Sequence, residues 1–166
     1  MKEIFIDQAD LNLLRVLQLD ASQTNQALAE SCNMSAPTCM RRVRRLRDCG
    51  IIEPEKAVLN VEKISSWLGH GLCAIVEVTL DKQDQGSIDA FEETAILEEM
   101  VQQCYRVSPG PDFCLVVHCN DMPSYLHLTQ RLFTNNTNVR NVKTYFSIKR
   151  SKFGGALPLP TKLKPI

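Results

Sequence analysis

The sequence predicts an α+β protein with an N-terminal winged helix-turn-helix followed by a ferredoxin-like βαββαβ domain. Apolar residues recur at helical three-to-four spacing near the N-terminus, and alternate at strand spacing in several later segments. Arginines concentrate in the last of the early helices. A chain of 166 residues is long enough for two small domains, each with a modest core.

The first two helices of the N-terminal domain, which we place at residues 1–53, are predicted from their caps and apolar positions. Asp7 caps a first helix whose leucines recur at helical spacing until about Leu19. Thr24 or Asn25 caps a second, short helix that Asn33-Met34 ends. Both helices therefore offer one apolar face to a shared core.

A third helix begins at Ser35 and ends at Gly50, with Pro37 in its first turn, where no helical N–H is needed. Two short helices joined by a tight turn, the second rich in arginine, are typical of a helix-turn-helix. The helical period turns Cys39, Val43 and Leu46 inward. The side chains that we predict to contact DNA are Ser35, Pro37, Thr38, Arg41, Arg44, Arg45 and Arg47.

Within this set, Thr38 and Arg41 near the helix start are candidates for contacts to base edges. The other three arginines, Arg44, Arg45 and Arg47, are expected to hold phosphates. A run of arginines is more often only a solvated helix face. Here it lies on the second helix of the motif with almost no acidic partners, which favours double-stranded DNA as the partner.

The charge distribution supports a polyanion-binding face although the formal net charge is zero. Five arginines stand between Met40 and Asp48 against one acid, whereas Glu77 to Glu99 is acidic with Lys82 as its one base. The two halves of the chain therefore differ in the partners that their charge attracts.

A connector and a second domain follow. Ile51 to about Gly69 is predicted as a short strand and connector, with Pro54 and Lys56 near a wing, and we assign 54–69 as the linker. The second domain, 70–150, is predicted to contain strands at Leu72–Leu80, Val101–Val107, Phe113–Cys119 and Val142–Ile148, and helices at Ser87–Ala95 and from Asp121 onward. Residues 151–166 form a basic, proline-containing tail that ends in disorder or a docking arm.

Enzyme, metal and secretion signals are missing from the sequence. No P-loop, G-x-G-x-x-G, H-E-x-x-H or G-x-S-x-G motif occurs, and the three histidines are isolated, so we expect no catalytic residues and no cofactor. The seven cysteines never form C-x-x-C, which argues against zinc and a disulfide framework. No apolar run has membrane-spanning length and no signal peptide is evident, so a soluble cytoplasmic protein is expected.

Nearly the whole chain resembles the Lrp/AsnC (feast/famine) family of transcription regulators. The resemblance is carried by Ile6-Asp7 through Asp10, by Arg41-Arg42-Val43-Arg44-Arg45-Leu46 with Gly50-Ile51-Ile52, and more loosely by Tyr105-Arg106-Val107-Ser108, Asp112-Phe113 and Leu157-Pro158-Leu159. It implies a homodimer that often assembles further, for example to octamers. It also implies an amino-acid effector bound between subunits.

The loop that would bind the effector contains Ser108, Pro109, Gly110 and Asp112. The family usually has Gly where Pro109 stands, and Pro lacks both an N–H and access to positive φ. A hydroxyl, backbone amides and a carboxylate suit a free amino acid, and an apolar one such as leucine or methionine is predicted. Alternatively, Asp112 only caps the turn between two strands.

Two other functions are kept as alternatives. Sirohaem decarboxylases resemble the same two-domain family but are enzymes; the arginine-rich helix argues against that function. The third hypothesis is a structural partner that co-assembles with other regulators of this type and binds DNA weakly alone.

Overall fold

The computed structural model describes residues 5–68 and 71–163, except for the side chains of Glu62, Ser66 and Leu68. The chain forms two compact units. One consists of Met1–Val58 together with Lys152–Ile166, and the other is Leu59–Ser151. The chain thus leaves the first unit, builds the second, and returns, so the predicted C-terminal tail belongs with the N-terminal helices.

The first unit contains the three predicted helices, α1 (Gln8–Leu17), α2 (Asn25–Ser31) and α3 (Ala36–Asp48). The Asp7 side chain accepts from the Asp10 amide at 2.9 Å and the Asp7 amide donates back to the Asp10 carboxylate, which forms a capping box. Thr24 caps α2 through the Ala27 amide. The first two predicted caps are therefore confirmed, and α1 ends two residues before the predicted Leu19.

The core of this unit lies where α2 and α3 cross α1. It is built from the buried residues Leu13, Leu28, Ala29, Cys39 and Val43. The turn between α2 and α3 passes through Asn33 at φ 52°, a left-handed conformation that Asn tolerates better than most residues. Beyond α3 the chain turns at Gly50, whose φ of 71° favours glycine.

The predicted strand after α3 is wrong. Residues 51–60 contain no strand, and the connector instead folds into a helix, α4 (Val61–Leu68). The Asn60 side chain accepts from the Lys63 amide at 3.1 Å, and the Asn60 carbonyl accepts from Lys63 and Ile64. Asn60 is thus the N-cap of α4. Ile51 and Ile52 form no strand because their amides both donate to the Leu46 carbonyl at the end of α3.

The second unit has the predicted βαββαβ order. Its elements are β1 (Leu72–Leu80), α5 (Gln85–Leu97), β2 (Val101–Arg106), β3 (Phe113–Cys119), α6 (Met122–Thr129) with a π-helical extension (Gln130–Thr134), and β4 (Val139–Phe146). The sheet order is β2-β3-β1-β4 and every neighbouring pair is antiparallel. This is the split pattern of a ferredoxin-like fold, with β1 and β3 in the interior of the sheet.

The two faces of the sheet differ. Alternate residues of β1 and β3 are buried in the core that the helices cover: Ala74, Val76, Val78, Leu80, Phe113, Leu115, Val117 and Cys119. The residues between them point to the opposite face. On this second face, which we call the open face, Ile75 lies between Val116 and Tyr145, and Tyr105 pairs with Cys114. Ile75, Tyr105 and Tyr145 are exposed there.

Searching the described residues for a helix both long and apolar enough to cross a membrane finds none.

Candidate nucleic-acid interface

Helix α3 presents one apolar side to the core of the first unit and the opposite side to solvent. Cys39 and Leu46 are fully buried and Val43 nearly so, as the helical period predicts. The remaining positions carry most of the arginines. Packing of three residues on one side therefore fixes which basic side chains face outward.

The N-terminal end of α3 is exposed at Ser35 and Pro37 and half-exposed at Thr38. Ser35 occupies the N-cap position, but its side chain makes no hydrogen bond to a helix amide. Its hydroxyl instead donates to Thr38 Oγ1 at 2.8 Å. Ser35 is therefore the N-cap residue, as predicted, but supplies no side-chain cap, and two small hydroxyls are joined at the tip of the helix.

The outward arginines differ in how strongly they are held. Arg44 is 83% exposed, with its Nε 3.9 Å from the Asp48 carboxylate, one turn further along the helix. Arg47 pairs with Glu55. Arg41 is exposed and, within the described residues, takes part in no ion pair or hydrogen bond. Arg41 and Arg44 are accordingly the two arginines of α3 whose guanidinium groups are most available to bind a phosphate or a base edge.

Arg42 and Arg45 bind back to α1. Arg42 Nη1 lies 2.8 Å from Asp7 Oδ2 and 2.9 Å from Asp10 Oδ1. Arg45 pairs with the other oxygen of Asp10 and donates to the Phe5 carbonyl at 3.1 Å. The predicted phosphate contact Arg45 is thus partly committed inside the unit, and Arg42 joins both acids of α1 in one ion-pair network.

Asp10 is the buried acid of this network, with 1% of its surface exposed. A buried carboxylate is tolerated only when it is paired and hydrogen-bonded, and here two guanidinium groups supply those bonds. Sequence reasoning missed it, although a signal exists: Asp10 shares the apolar face of α1, three residues before buried Leu13. A single acid in an apolar stripe, with unpaired arginines elsewhere, indicates an internal ion pair.

The network also affects the neighbouring carboxyl group of Asp7. Burial raises the pKa of Asp7, but hydrogen bonds from the Asp10 amide and Arg42 outweigh burial and hold the pKa below its usual range. Hydrogen bonds to Asp7 and Asp10 in turn raise the pKa of Arg42. The Asp7 contribution to stability is therefore present above its ordinary pKa and is lost as the pH falls through the lowered folded value.

The loop between β2 and β3 contains the four predicted effector residues. Ser108, Pro109 and Gly110 are exposed and consecutive, the Ser108–Pro109 peptide is cis, and Gly110 adopts φ 122°. The positive φ that Pro109 excludes is thus supplied one residue later.

Asp112 fastens this loop to the end of β1. Its Oδ2 accepts from the Leu80 amide at 2.7 Å and from Gln83 Nε2 at 3.2 Å, and its own amide donates to the Val78 carbonyl. The structure therefore places Asp112 with the other three residues in one loop but gives its carboxylate an internal role, similar to the turn-capping alternative.

Among the described residues, the other titratable groups show neither metal-ligand geometry nor thiol pairing. Within residues 5–68 and 71–163, no group of three or more His, Cys, Asp or Glu side chains is placed to hold a metal ion. All seven cysteines are free thiols. Burial, aided by Arg150, lowers the pKa of His118, so this histidine on the open face is neutral at ordinary pH.

Two family profiles cover most of the chain. The Lrp/AsnC ligand binding domain matches residues 73–157, and a winged helix-turn-helix DNA-binding domain matches residues 6–53. Both families consist of regulator domains, and neither describes an enzyme. The sirohaem decarboxylase alternative receives no support from these matches.

Relatives of known name are also regulators. An HTH-type transcriptional regulator of Haemophilus influenzae is 35% identical over 147 residues, which is 89% of this chain and 85% of the relative. A leucine-responsive regulatory protein of Rhizobium meliloti is 34% identical over 147 residues, covering 89% of this chain and 92% of the relative. A transcriptional regulator of Neisseria meningitidis, solved in complex with L-Met, superposes with a TM-score of 0.81 at 26% identity, covering 93% of this chain and 97% of that one.

Replacing Asp10 tests whether the ion-pair network holds α3. Asp10→Asn removes the charge that two arginines share, and we expect it to lower the free energy of unfolding by about 3 kcal/mol, the lower end for a broken buried pair because Arg45 is 39% exposed. The matched control Asp48→Ala breaks the exposed Arg44 pair and should cost less than about 0.5 kcal/mol. Urea unfolding followed by circular dichroism measures both. Equal losses for the two variants would contradict the assignment.

Proposed function

This chain belongs to the Lrp/AsnC family of DNA-binding transcription regulators, and we propose that it recognises its operator with the outer face of α3, as an oligomer whose DNA binding responds to an amino acid. Since its target is chromosomal DNA, we place it in the cytoplasm of a bacterial cell. Each part of this proposal is supported by a different surface of the chain.

The observation that carries the DNA contact is the division of the α3 arginines into two groups. Arg42 and Arg45 bind acids of α1 and fix the helix, while Arg41 and Arg44 project from it with little or no internal pairing. A positioned helix with free guanidinium groups is what major-groove recognition needs. Arg41, on the turn that follows Pro37 and Thr38, is proposed to contact a base edge, and Arg44 a phosphate.

The remaining predicted contacts take secondary roles in the proposal. Ser35, Pro37 and Thr38 form the tip that enters the groove first. Arg47 can exchange its exposed Glu55 partner for a phosphate at little cost, because an exposed ion pair contributes little. Arg45 retains exposed surface, through which it is proposed to hold a phosphate while paired with Asp10.

The two arginines should differ in the kind of affinity they supply. Arg41→Ala is expected to lower affinity for the specific site by about 1–3 kcal/mol and to relax discrimination at one base position. Arg44→Ala should weaken all sequences alike and reduce the slope of log affinity against log salt by about one. Gel retardation and fluorescence anisotropy over a salt series measure both effects.

The control for this experiment is Arg140→Ala, which removes an exposed arginine from β4 in the second unit. It changes the net charge equally and should leave binding unchanged. Unchanged binding by Arg41→Ala and Arg44→Ala as well would show that the outer face of α3 is only a solvated surface.

The open face of the sheet is proposed to join two copies of the chain. Ile75, Tyr105 and Tyr145 are 43%, 52% and 51% exposed on a face whose other side packs against helices. Apolar and aromatic side chains on a central strand and both edge strands are typical of a buried interface. The octamer implied by the family resemblance would require further contacts between such dimers.

A charge on the open face should therefore dissociate the dimer. We expect Ile75→Glu to be monomeric at micromolar concentration by light scattering, since two carboxylates would be buried without partners. Ile96→Glu introduces the same change at an exposed position of α5, 63% exposed, and should leave assembly intact. A dimer in both variants, or a wild-type monomer, would refute the proposed interface.

The effector is proposed to be an apolar amino acid, leucine or methionine, bound between subunits beside the 108–112 loop. The relatives named as leucine-responsive and the neighbouring structure that contains L-Met support this ligand class. Ser108 and the exposed backbone of Gly110 offer a hydroxyl and an amide to the ligand carboxylate. Asp112 is the carboxylate available to the ammonium group, in addition to its bonds to Leu80 and Gln83.

Two substitutions separate the ligand-binding and fastening roles of Asp112. Asp112→Asn keeps an oxygen that accepts from the Leu80 amide but removes the charge, whereas Asp112→Ala removes both. If the carboxylate binds the ammonium group, calorimetry should show binding lost in both variants. Binding lost only in Asp112→Ala would assign Asp112 to fastening alone. No heat for any common amino acid with the wild type would contradict the proposed effector class.

A further inference from the structure

The C-terminal tail is held on the DNA-binding unit by Gln8, the first residue of α1, and Gln18, its C-cap residue. Gln18 Nε2 donates to the Leu157 carbonyl and Gln18 Oε1 accepts from the Leu157 amide, each at 2.9 Å. Gln8 Nε2 donates to the Thr161 carbonyl at 2.9 Å, and Gln8 Oε1 accepts from the Leu163 amide at 3.1 Å. Each side-chain amide thus pairs with the tail backbone through both its donor and its acceptor.

The tail changes the charge of this unit. Residues 1–58 contain eight Lys and Arg and eight Asp and Glu, so they carry no formal net charge. Residues 152–166 contain three lysines and no acid. The whole net positive charge of the first unit therefore comes from the tail. A DNA-binding unit gains affinity from such an excess.

Lys162 is the tail lysine that lies within the segment held by Gln8. It lies between Thr161 and Leu163, the two residues that Gln8 holds, and it is exposed. Gln8 follows Asp7, whose carboxylate binds Arg42 of α3 at 2.8 Å. Lys162 is consequently held at the end of α1 that is fastened to α3.

We propose that the tail is a second DNA-binding element, in which Lys162 contacts a phosphate beside the half-site recognised by α3. A backbone held by Gln8 reduces the conformational entropy that a free tail would lose on binding. The long, flexible lysine side chain suits a phosphate contact, which sets affinity and position but not sequence preference. This inference rests on the proposed DNA-binding role of α3.

The test is the salt dependence of DNA binding by the full-length chain carrying Lys162→Gln. Loss of one phosphate contact should reduce the slope of log affinity against log salt by about 0.9 and lower affinity roughly fivefold at about 0.15 M salt. Specific and random duplexes should be affected alike. Lys82→Gln removes the same charge from the second unit and should leave the slope unchanged.

A second substitution tests whether the glutamine positions the lysine. Gln8→Ala leaves every charge in place and removes the bonds to Thr161 and Leu163, while Gln18 still holds Leu157. It should weaken binding by a smaller factor than Lys162→Gln. In the double variant Gln8→Ala/Lys162→Gln, releasing the tail should cause no further loss, because the two residues act through one contact. Light scattering confirms that each variant keeps the wild-type assembly.

The outcomes separate this proposal from the one on which it rests. A wild-type slope for Lys162→Gln, with binding still lost in Arg41→Ala, would overturn the tail contact and leave recognition by α3 intact. Weaker binding with an unchanged slope would also overturn it, because the tail would then act through folding or assembly. Unchanged binding by Arg41→Ala, together with a reduced slope for Lys162→Gln, would contradict recognition by α3 and support the phosphate contact of the tail.

Discussion

The buried carboxylate of Asp10 is the interaction on which the DNA-binding unit depends. Both of its oxygens bind arginines of α3, and its neighbour Asp7 shares Arg42. A helix that also carries outward arginines would otherwise be held by only the three buried side chains on its inner face. The ion pairs add directional contacts at two successive turns of α3, which favours one orientation of the helix over alternatives of similar apolar packing. Specificity of orientation is what a recognition helix requires.

Because the same residue type performs both roles on α3, composition alone could not separate them. The periodicity predicted which side chains of α3 enter the core, and this is confirmed for Cys39, Val43 and Leu46. It could not show that Arg45 reaches Asp10, because that contact depends on how two helices cross and joins residues 35 positions apart. The contacts of the tail could not be predicted from the sequence for the same reason. Gln8 and Leu163 are 155 positions apart, and the bonds involve backbone groups, which every residue carries.

The alternation of apolar residues predicted the strands of the second unit better than any local pattern predicted the long-range contacts of the first unit. The limits of β1 and β3 agree with the prediction because both are interior strands with strict alternation of buried residues. The edge strand β4 begins at Val139 and ends at Phe146, against a prediction of Val142 to Ile148, because an edge strand has a partner on one side only and its alternation is weaker. The strand prediction for the connector was wrong because the amides of Ile51 and Ile52 bond to the Leu46 carbonyl, and Asn60 starts a helix further along.

Strand β1 links the two proposed regulatory surfaces of the second unit. Its Leu80 amide binds Asp112 of the 108–112 loop, and its Ile75 lies on the open face. A ligand ammonium group bound to the Asp112 carboxylate would lie beside the oxygen that accepts from the Leu80 amide, so ligand binding at the loop would be coupled to the end of β1. An effector at the loop can then favour one assembly over another only to the extent that its affinity differs between them. The strand that pairs with both β3 and β4 is the element best placed to carry that difference, because a displacement of its end acts on the hydrogen bonds to two neighbours.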